Sequence, residues 1–151
     1  MFIGQFVYSL DEKGRVSIPG KFREKLTANK RKSSTLVVAR DLENCLSVYP
    51  EEAWLAVAQK IQSLPRTEED VQRFARYFFS TAEECALDKQ GRILLSNELR
   101  RHANLGREII FLGHFHKFEI WNLESWRGQE AVNADSGTRN RMKLLLDRLG
   151  F

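Results

Sequence analysis

No stretch of the 151 residues approaches the roughly 18 consecutive apolar side chains that a membrane-spanning helix requires. The start, Met1-Phe2-Ile3-Gly4-Gln5, carries no basic patch followed by an apolar run, so a secretory signal is not expected. These two absences predict a cytoplasmic protein with no membrane partner. Cysteine is scarce. Cys45 and Cys85 suit a reducing compartment, and their spacing offers neither a disulfide framework nor a zinc site. They read as free thiols packed inside. Glycine-rich runs are also missing. Gly14 and Gly91 stand alone, which excludes a phosphate-cradling loop. His114-x-His116 is a weak metal cue, but no carboxylate or cysteine completes it, and the two histidines read as structural. Without a nucleophile, a metal set or a phosphate loop, no cofactor and no enzymatic activity are expected.

What is present is a core and an uneven charge. Hydrophobic residues make up 42% of the chain, enough for one domain or two small ones sharing a core. The net charge is only +4. Residues 11–40 carry nine Lys/Arg against three Asp/Glu, or +6. Residues 41–72 carry two against seven, or −5, and residues 73–151 carry thirteen against ten, or +3. A local basic field attracts polyanions such as a phosphate backbone. On charge alone, a solvated face explains it as well.

The chain repeats itself. Leu10-Asp11-Glu12-Lys13-Gly14-Arg15-Val16-Ser17-Ile18 matches Leu87-Asp88-Lys89-Gln90-Gly91-Arg92-Ile93-Leu94-Leu95 at an offset of 77. Phe22 and Arg23 fall on Leu99 and Arg100 at the same offset. Leu36-Val37-Val38 then matches Glu108-Ile109-Ile110, and Leu46, Tyr49 and Trp54 match Phe118, Trp121 and Trp126, at an offset of 72. The five missing residues are assigned to one place. The basic loop Asn29-Lys30-Arg31-Lys32-Ser33-Ser34 has no full counterpart near Asn104–Arg107.

Each copy follows the same local grammar. A strand (Gln5–Leu10, or Glu83–Leu87) leads into an Asp-x-x-Gly-Arg turn and a second short strand (Arg15–Ile18, or Arg92–Leu95). Asp suits the turn's first position because its carboxylate accepts backbone N–H bonds, and Gly suits the position needing φ > 0. The pattern predicts a tight hairpin with Asp and Arg facing each other. A short helix follows, opened by Pro19 with Phe22 and Leu26 on one face, or by Ser96 with Leu99 and Ala103. Strands over Thr35–Ala39, Cys45–Tyr49, Ile109–Leu112 and Lys117–Trp121 complete the copies. Between the copies, Trp54, Leu55, Ala58 and Ile61 make one helical stripe. After Pro65, a Thr67–Asp70 capping pair opens a second stripe of Val71, Phe74, Ala75 and Phe78. Residues 128–137 read as weak helix or tail. Leu144, Leu145, Leu146 and Leu149 belong to a docking helix or a frayed tail.

Asp11 and Asp88 each precede an Arg by four residues, which keeps the carboxylate ionised and makes it a poor general acid. They read as structural residues that hold the Arg. The Arg is the chemical group. A guanidinium presents five donors in a planar fork and matches both phosphate and guanine edges. The candidate nucleic-acid residues are therefore Lys13, Gly14, Arg15, Lys21 and Arg23 around the first turn, and Lys89 and Arg92 around the second. Arg100 and Arg101 are placed behind Arg92. A pair of purely structural Asp–Arg bridges is the competing reading. Because Lys13 falls on uncharged Gln90, Arg15 is expected to be the primary base reader and Arg92 a secondary contact or support.

The paired Asp-x-x-x-Arg motifs, the start Met1-Phe2-x-Gly4 and the run Gly113-His114-Phe115-His116-Lys117-Phe118-Glu119-Ile120-Trp121 resemble the MraZ family of bacterial regulators. The resemblance runs from Met1 to about Trp126. It implies that each repeat is a SpoVT/AbrB-type half, and that the fold is mainly β with α (α+β). The two halves would form a duplicated swapped-hairpin β-barrel, a pseudo-dimer within one chain, with connecting and flanking helices. The corresponding units are repeat one at 5–52, a helical connector at 53–80, repeat two at 81–124 and a C-terminal helix or tail at 125–151. The resemblance also implies a ring-shaped homo-oligomer at the nucleoid. It would bind double-stranded DNA at direct repeats near its own promoter, ahead of the division and cell-wall gene cluster, usually as a repressor. The motif positions carried over are Asp11, Arg15, Asp88 and Arg92. An oligomeric protein-interaction scaffold without specific DNA binding is the alternative.

Overall fold

A computed structural model of the chain describes residues 1–27 and 35–151. The basic loop 29–34 lies outside the described residues. The first copy contains β1 (Gln5–Ser9), β2 (Arg15–Ser17), α1 (Gly20–Thr27), β3 (Thr35–Arg40) and β4 (Leu46–Pro50). Two connecting helices follow, α2 (Glu51–Gln62) and α3 (Glu69–Thr81). The second copy contains β5 (Glu83–Ala86), β6 (Arg92–Leu94), α4 (Asn97–His102), β7 (Glu108–His114) and β8 (Lys117–Asn122). Helices α5 (Leu123–Ala134) and α6 (Ser136–Arg148) end the chain. The fold is α+β.

Strand pairing crosses between the copies. The larger sheet runs β1-β7-β8-β4-β3-β5, so the first strand of each copy pairs with the third strand of the other. The two β-turn strands pair with each other as a separate β2–β6 ribbon. The expected hairpin is thus swapped: β1 and β2 flank one turn but are not ladder partners. Asp11 N–H bonds to the Arg15 carbonyl (2.9 Å), and Asp88 N–H to the Arg92 carbonyl (2.9 Å), across the base of each turn. The barrel that the resemblance implies is not a closed one. β1 and β5 remain the edges of the six-stranded sheet. The ribbon strands are three residues long, with a turn before and a helix after, so they have no length left to pair with those edges. They cap the core instead, through Val16, Ile18, Ile93 and Leu95.

The register locates the pseudo-twofold axis. Val16 lies opposite Ile93, and Ser47 opposite Glu119. Each is a pair of equivalent positions, at offsets of 77 and 72, so the axis passes through both. The pairing also revises the alignment of β3 with β7. Cys85 faces Leu36 while Tyr8 faces Ile109, and Leu36 and Val38 share the central core with Ile109 and Phe111. Leu36-Val37-Val38 therefore corresponds to Ile109-Ile110-Phe111, at an offset of 73. Four of the five missing residues fall between α1 and β3, and the fifth is lost in the β7–β8 turn. Strand alternation demands this, because a one-residue slip would turn every side chain to the other face.

The sheet's two faces are covered differently. One face and the ribbon enclose the main core, where the Phe22 ring sits 5.3 Å from Phe2, 5.2 Å from Phe6 and 4.9 Å from Phe118. The other face is covered by α2 and α3 over Ala39 and Tyr49, with Trp54 stacked on Phe78 at 4.9 Å, and by α5, with Trp126 on Trp121 at 5.5 Å. Leu55 does not join the α2 stripe: it is exposed, and Val57 packs in its place. Nor does Thr67 cap α3. That helix starts after Glu68 without a side-chain cap bond, and Gln72 reaches back to the Arg66 carbonyl at 2.8 Å. The tail is helical. Asp135 caps α6 by accepting from the Gly137 and Thr138 N–H groups at 3.0 and 3.2 Å. No α6 residue is buried.

Candidate nucleic-acid interface

The two turns are built alike. Asp11 accepts N–H bonds from Lys13 (2.9 Å) and Arg15 (2.9 Å) through Oδ1, and its Oδ2 accepts from Arg15 Nε at 2.7 Å. Asp88 repeats this with Gln90 (2.8 Å), Arg92 N–H (2.9 Å) and Arg92 Nε (2.8 Å). One carboxylate oxygen caps the turn and the other orients the guanidinium. The backbone N–H of Arg15, helped by its side chain and by Lys13, holds Asp11 below the usual carboxylate range, and burial opposes this more weakly. Arg92 and Gln90 do the same for Asp88. Gly14 N–H closes on the Asp11 carbonyl at 3.1 Å, and Gly91 on Asp88 at 3.0 Å. Both glycines need their left-handed φ, +86° and +74°.

The ribbon brings both arginines to one face. Val16 and Ile93 point into the core, so alternation sends Arg15, Ser17, Arg92 and Leu94 outward together. With about 3.4 Å of rise per residue and about 4.8 Å between strands, the Arg15 and Arg92 Cα atoms stand on the order of 8 Å apart. Each guanidinium is held through Nε, and among the described residues no hydrogen bond engages its terminal amines. The side chains are 35% and 30% exposed. Nothing in the turns themselves ranks Arg15 above Arg92. The difference between the copies lies in the flanking residues.

Lys13 and Lys89 are exposed on their turns, and Lys21 is exposed on α1. Arg23 sits elsewhere than expected. Its Cδ and Nη1 lie 2.6 Å from where a Cβ on Gly91 would stand, so it rests on the second copy's turn. Arg100, its counterpart, rests on Gly14 in the first copy's turn, with Cζ and Nε 2.8 Å from the equivalent point. Arg100 therefore belongs beside Arg15 rather than behind Arg92. The offset of 77 pairs Arg23 with Arg100, but only the swapped ribbon reveals that each serves the other copy's turn.

A second polar cluster lies where β4 meets β8. Lys117 Nζ donates to Ser47 Oγ at 2.8 Å and sits 3.5 Å from both Asp41 and Glu119, while Ser47 donates to Asp41 at 2.7 Å. Asp41, Cys45 and Glu119 are the one group of metal-type donors among the described residues, and His114 and His116 do not join it. The Lys117 ammonium already sits between its two carboxylates and offsets one of their two charges. Burial opposes its charge, but Tyr49, Glu119 and Asp41 outweigh this and raise its pKa. Both cysteines are free, and burial pushes the Cys45 thiol up and the Cys85 thiol to about 11. Neither is a ready nucleophile.

The geometry defines a duplicated α+β protein whose two halves present paired Asp–Arg turns on one ribbon. Residues 1–77 and 78–148 each match the MraZ protein family, and the chain belongs to that family. Its relatives include the "Transcriptional regulator MraZ" of Desulforamulus reducens, 46% identical over 83% of this chain and 84% of its own. That of Natranaerobius thermophilus is 42% identical over 97% and 98%. That of Moorella thermoacetica is 44% identical over 83% and 84%. The family is one of transcriptional regulators, not of enzymes. No helix among the described residues is long and apolar enough to cross a membrane.

Proposed function

We propose that the chain is a sequence-specific DNA-binding transcriptional regulator. It reads promoter-proximal direct repeats at the bacterial division and cell-wall gene cluster, and represses transcription there. The observation that carries this reading is the pair of Nε-anchored guanidiniums on one outward ribbon face. A two-stranded ribbon fits the major groove, and an Arg held in place loses less freedom on binding a guanine edge or a phosphate. Lys13, Lys21 and Lys89 supply non-specific phosphate attraction around Arg15 and Arg92.

On this reading the protein works at the nucleoid, in the cytoplasm, as a ring-shaped homo-oligomer. Its units are repeats 5–52 and 81–124, the connector 53–80 and the tail 125–151. One small ribbon binds weakly and with strong salt sensitivity. Several on one ring facing spaced repeats gain roughly 10²–10⁴ in avidity. Helix α6 supports self-assembly. Met142, Leu145, Leu146 and Leu149 recur at i, i+3, i+4 and i+7, each 44–65% exposed, and such a stripe needs a partner.

The test is a band-shift titration on the protein's own upstream DNA, with the assembly mass measured with and without that duplex. Arg15→Ala and Arg92→Ala should each leave folding and mass unchanged and weaken specific binding by about 1–3 kcal/mol. Unchanged affinity in both variants refutes the reading. A scaffold that only binds proteins would show no salt-dependent DNA affinity at all.

A further inference from the structure

Arg23 and Arg100 occupy equivalent positions, yet they are held differently. Arg100 Nε donates to the Leu95 carbonyl at 3.1 Å, and its Nη2 donates to Asn97 Oδ1. Two acceptors from its own copy thus tie it down over Gly14. The position equivalent to Asn97 is Gly20, which has no side chain to offer. Among the described residues no hydrogen bond holds the Arg23 guanidinium, and its Nε is buried without a partner. An orphaned buried donor in a native protein calls for an explanation, and an acceptor outside the chain is one.

We propose that Arg23 is a DNA-phosphate contact that copy one supplies to the Arg92 turn of copy two, whereas Arg100 only buttresses the Arg15 turn. The proposal rests on the DNA-binding reading and adds an inequality to it. The first turn meets DNA with Arg15 and Lys13, over a locked Arg100. The second meets it with Arg92 and Lys89, and Arg23 adds a third cation. Glu12 of the first motif aligns with Lys89 of the second, so the second turn is already the more positive, and the swap of strands adds Arg23 to it. A phosphate oxygen is the acceptor that suits Arg23. Nη1 rests against Gly91 and Nη2 lies 3.8 Å from where a Gly20 Cβ would stand, and no hydrogen bond among the described residues fixes either. The guanidinium can turn toward a backbone passing over the turn, but it lacks the rigid bidentate presentation that base reading requires.

The structure also supplies the means of testing it. A Cβ at Gly20 meets nothing closer than Arg23 Nη2 at 3.8 Å, and its φ is not left-handed, so Gly20→Asn fits and recreates the clamp that holds Arg100. The full-length protein is titrated against its upstream duplex over a salt series, with thermal stability recorded alongside. Arg23→Gln should weaken specific and non-specific duplexes alike and lower the slope of log K against log salt by about 1. Gly20→Asn should lower that slope in the same direction without loss of thermal stability. Arg100→Gln should lower thermal stability and leave the slope alone, and Asn97→Ala should steepen it by freeing Arg100. The proposal is overturned if Arg23→Gln leaves the slope unchanged, or if Arg23→Gln and Arg100→Gln shift it equally. If the unaltered protein shows no salt-dependent binding, the DNA reading falls, and this assignment falls with it.

Discussion

The two Asp–Arg turns agree in their frame and differ at their rims. Their hydrogen bonds coincide to within about a tenth of an ångström: 2.9, 2.9 and 2.7 Å around Asp11, against 2.8, 2.9 and 2.8 Å around Asp88. The residues around them do not coincide. Lys13 faces Gln90 in the alignment, and Asn97 faces Gly20. A turn tolerates few alternatives, because one carboxylate must cap two N–H groups and hold a guanidinium, and one glycine must adopt φ > 0. Rim side chains point to solvent and satisfy no backbone group, so each copy can alter them separately. A duplicated fold thus keeps its geometry while its surface chemistry diverges.

The comparison is tested first in the core, where the largest effect is expected. Phe22 contacts three phenylalanine rings, and its counterpart Leu99 makes none of those ring contacts. Phe22→Ala should cost about 3–5 kcal/mol and Leu99→Ala about 2–4 kcal/mol by urea unfolding. Equal losses would show that the aromatic cluster gives the first copy no extra weight. Next come the glycines. A Cβ at Gly14 meets the Leu95 carbonyl at 2.8 Å, which is backbone and cannot swing away, whereas the three atoms nearest a Cβ at Gly91 all belong to the flexible Arg23 side chain. Gly14→Ala should cost about 3 kcal/mol and Gly91→Ala about 1–2 kcal/mol, measured in the same way. The reverse order would mean that Arg23 is held more rigidly than its missing partners imply.

Smaller effects concern the rims. Lys13→Gln should lower the salt slope of DNA binding by about 1, and Gln90→Lys should raise it by about 1, with stability unchanged in both. If neither substitution moves the slope, phosphate does not reach these rims. The smallest effect is that of pH. Both turn carboxylates lie below their ordinary value when folded, so what they contribute is complete above about pH 4 and is lost as pH falls through the folded values. Carboxyl chemical shifts followed by NMR should show Asp11 and Asp88 titrating together below that point. A separation of a full unit would break the equivalence of the two turns.

Much of this was legible in the residues. The offset of 77, the Asp and Gly of each turn and the apolar periodicity predicted two copies, their strands and the Asp–Arg pairs, because all of these follow from local chemistry. Ser96 likewise caps α4 as expected, accepting from Leu99 N–H at 3.2 Å. The misses were non-local. Leu55 has the composition of a core residue but points away, and Thr67 is one residue too early to cap α3. The register of β7 against β3 slipped by one because apolar strings align equally well one residue apart, and only the core-facing alternation separates the two alignments.

The Asp-x-x-Gly-Arg strings by themselves determined two capped turns, each with an arginine tied to its aspartate. Every bond in that unit spans four residues or fewer, so sequence proximity alone makes it. Which arginines share a face, and which guanidinium rests on which turn, was decided by the tertiary structure. Arg15 and Arg92 are 77 residues apart in sequence and become neighbours only when β2 pairs with β6. Arg23 reaches Gly91 for the same reason. A three-residue strand cannot bury its apolar face alone, so it takes its partner from the other copy, and that exchange assembles the surface.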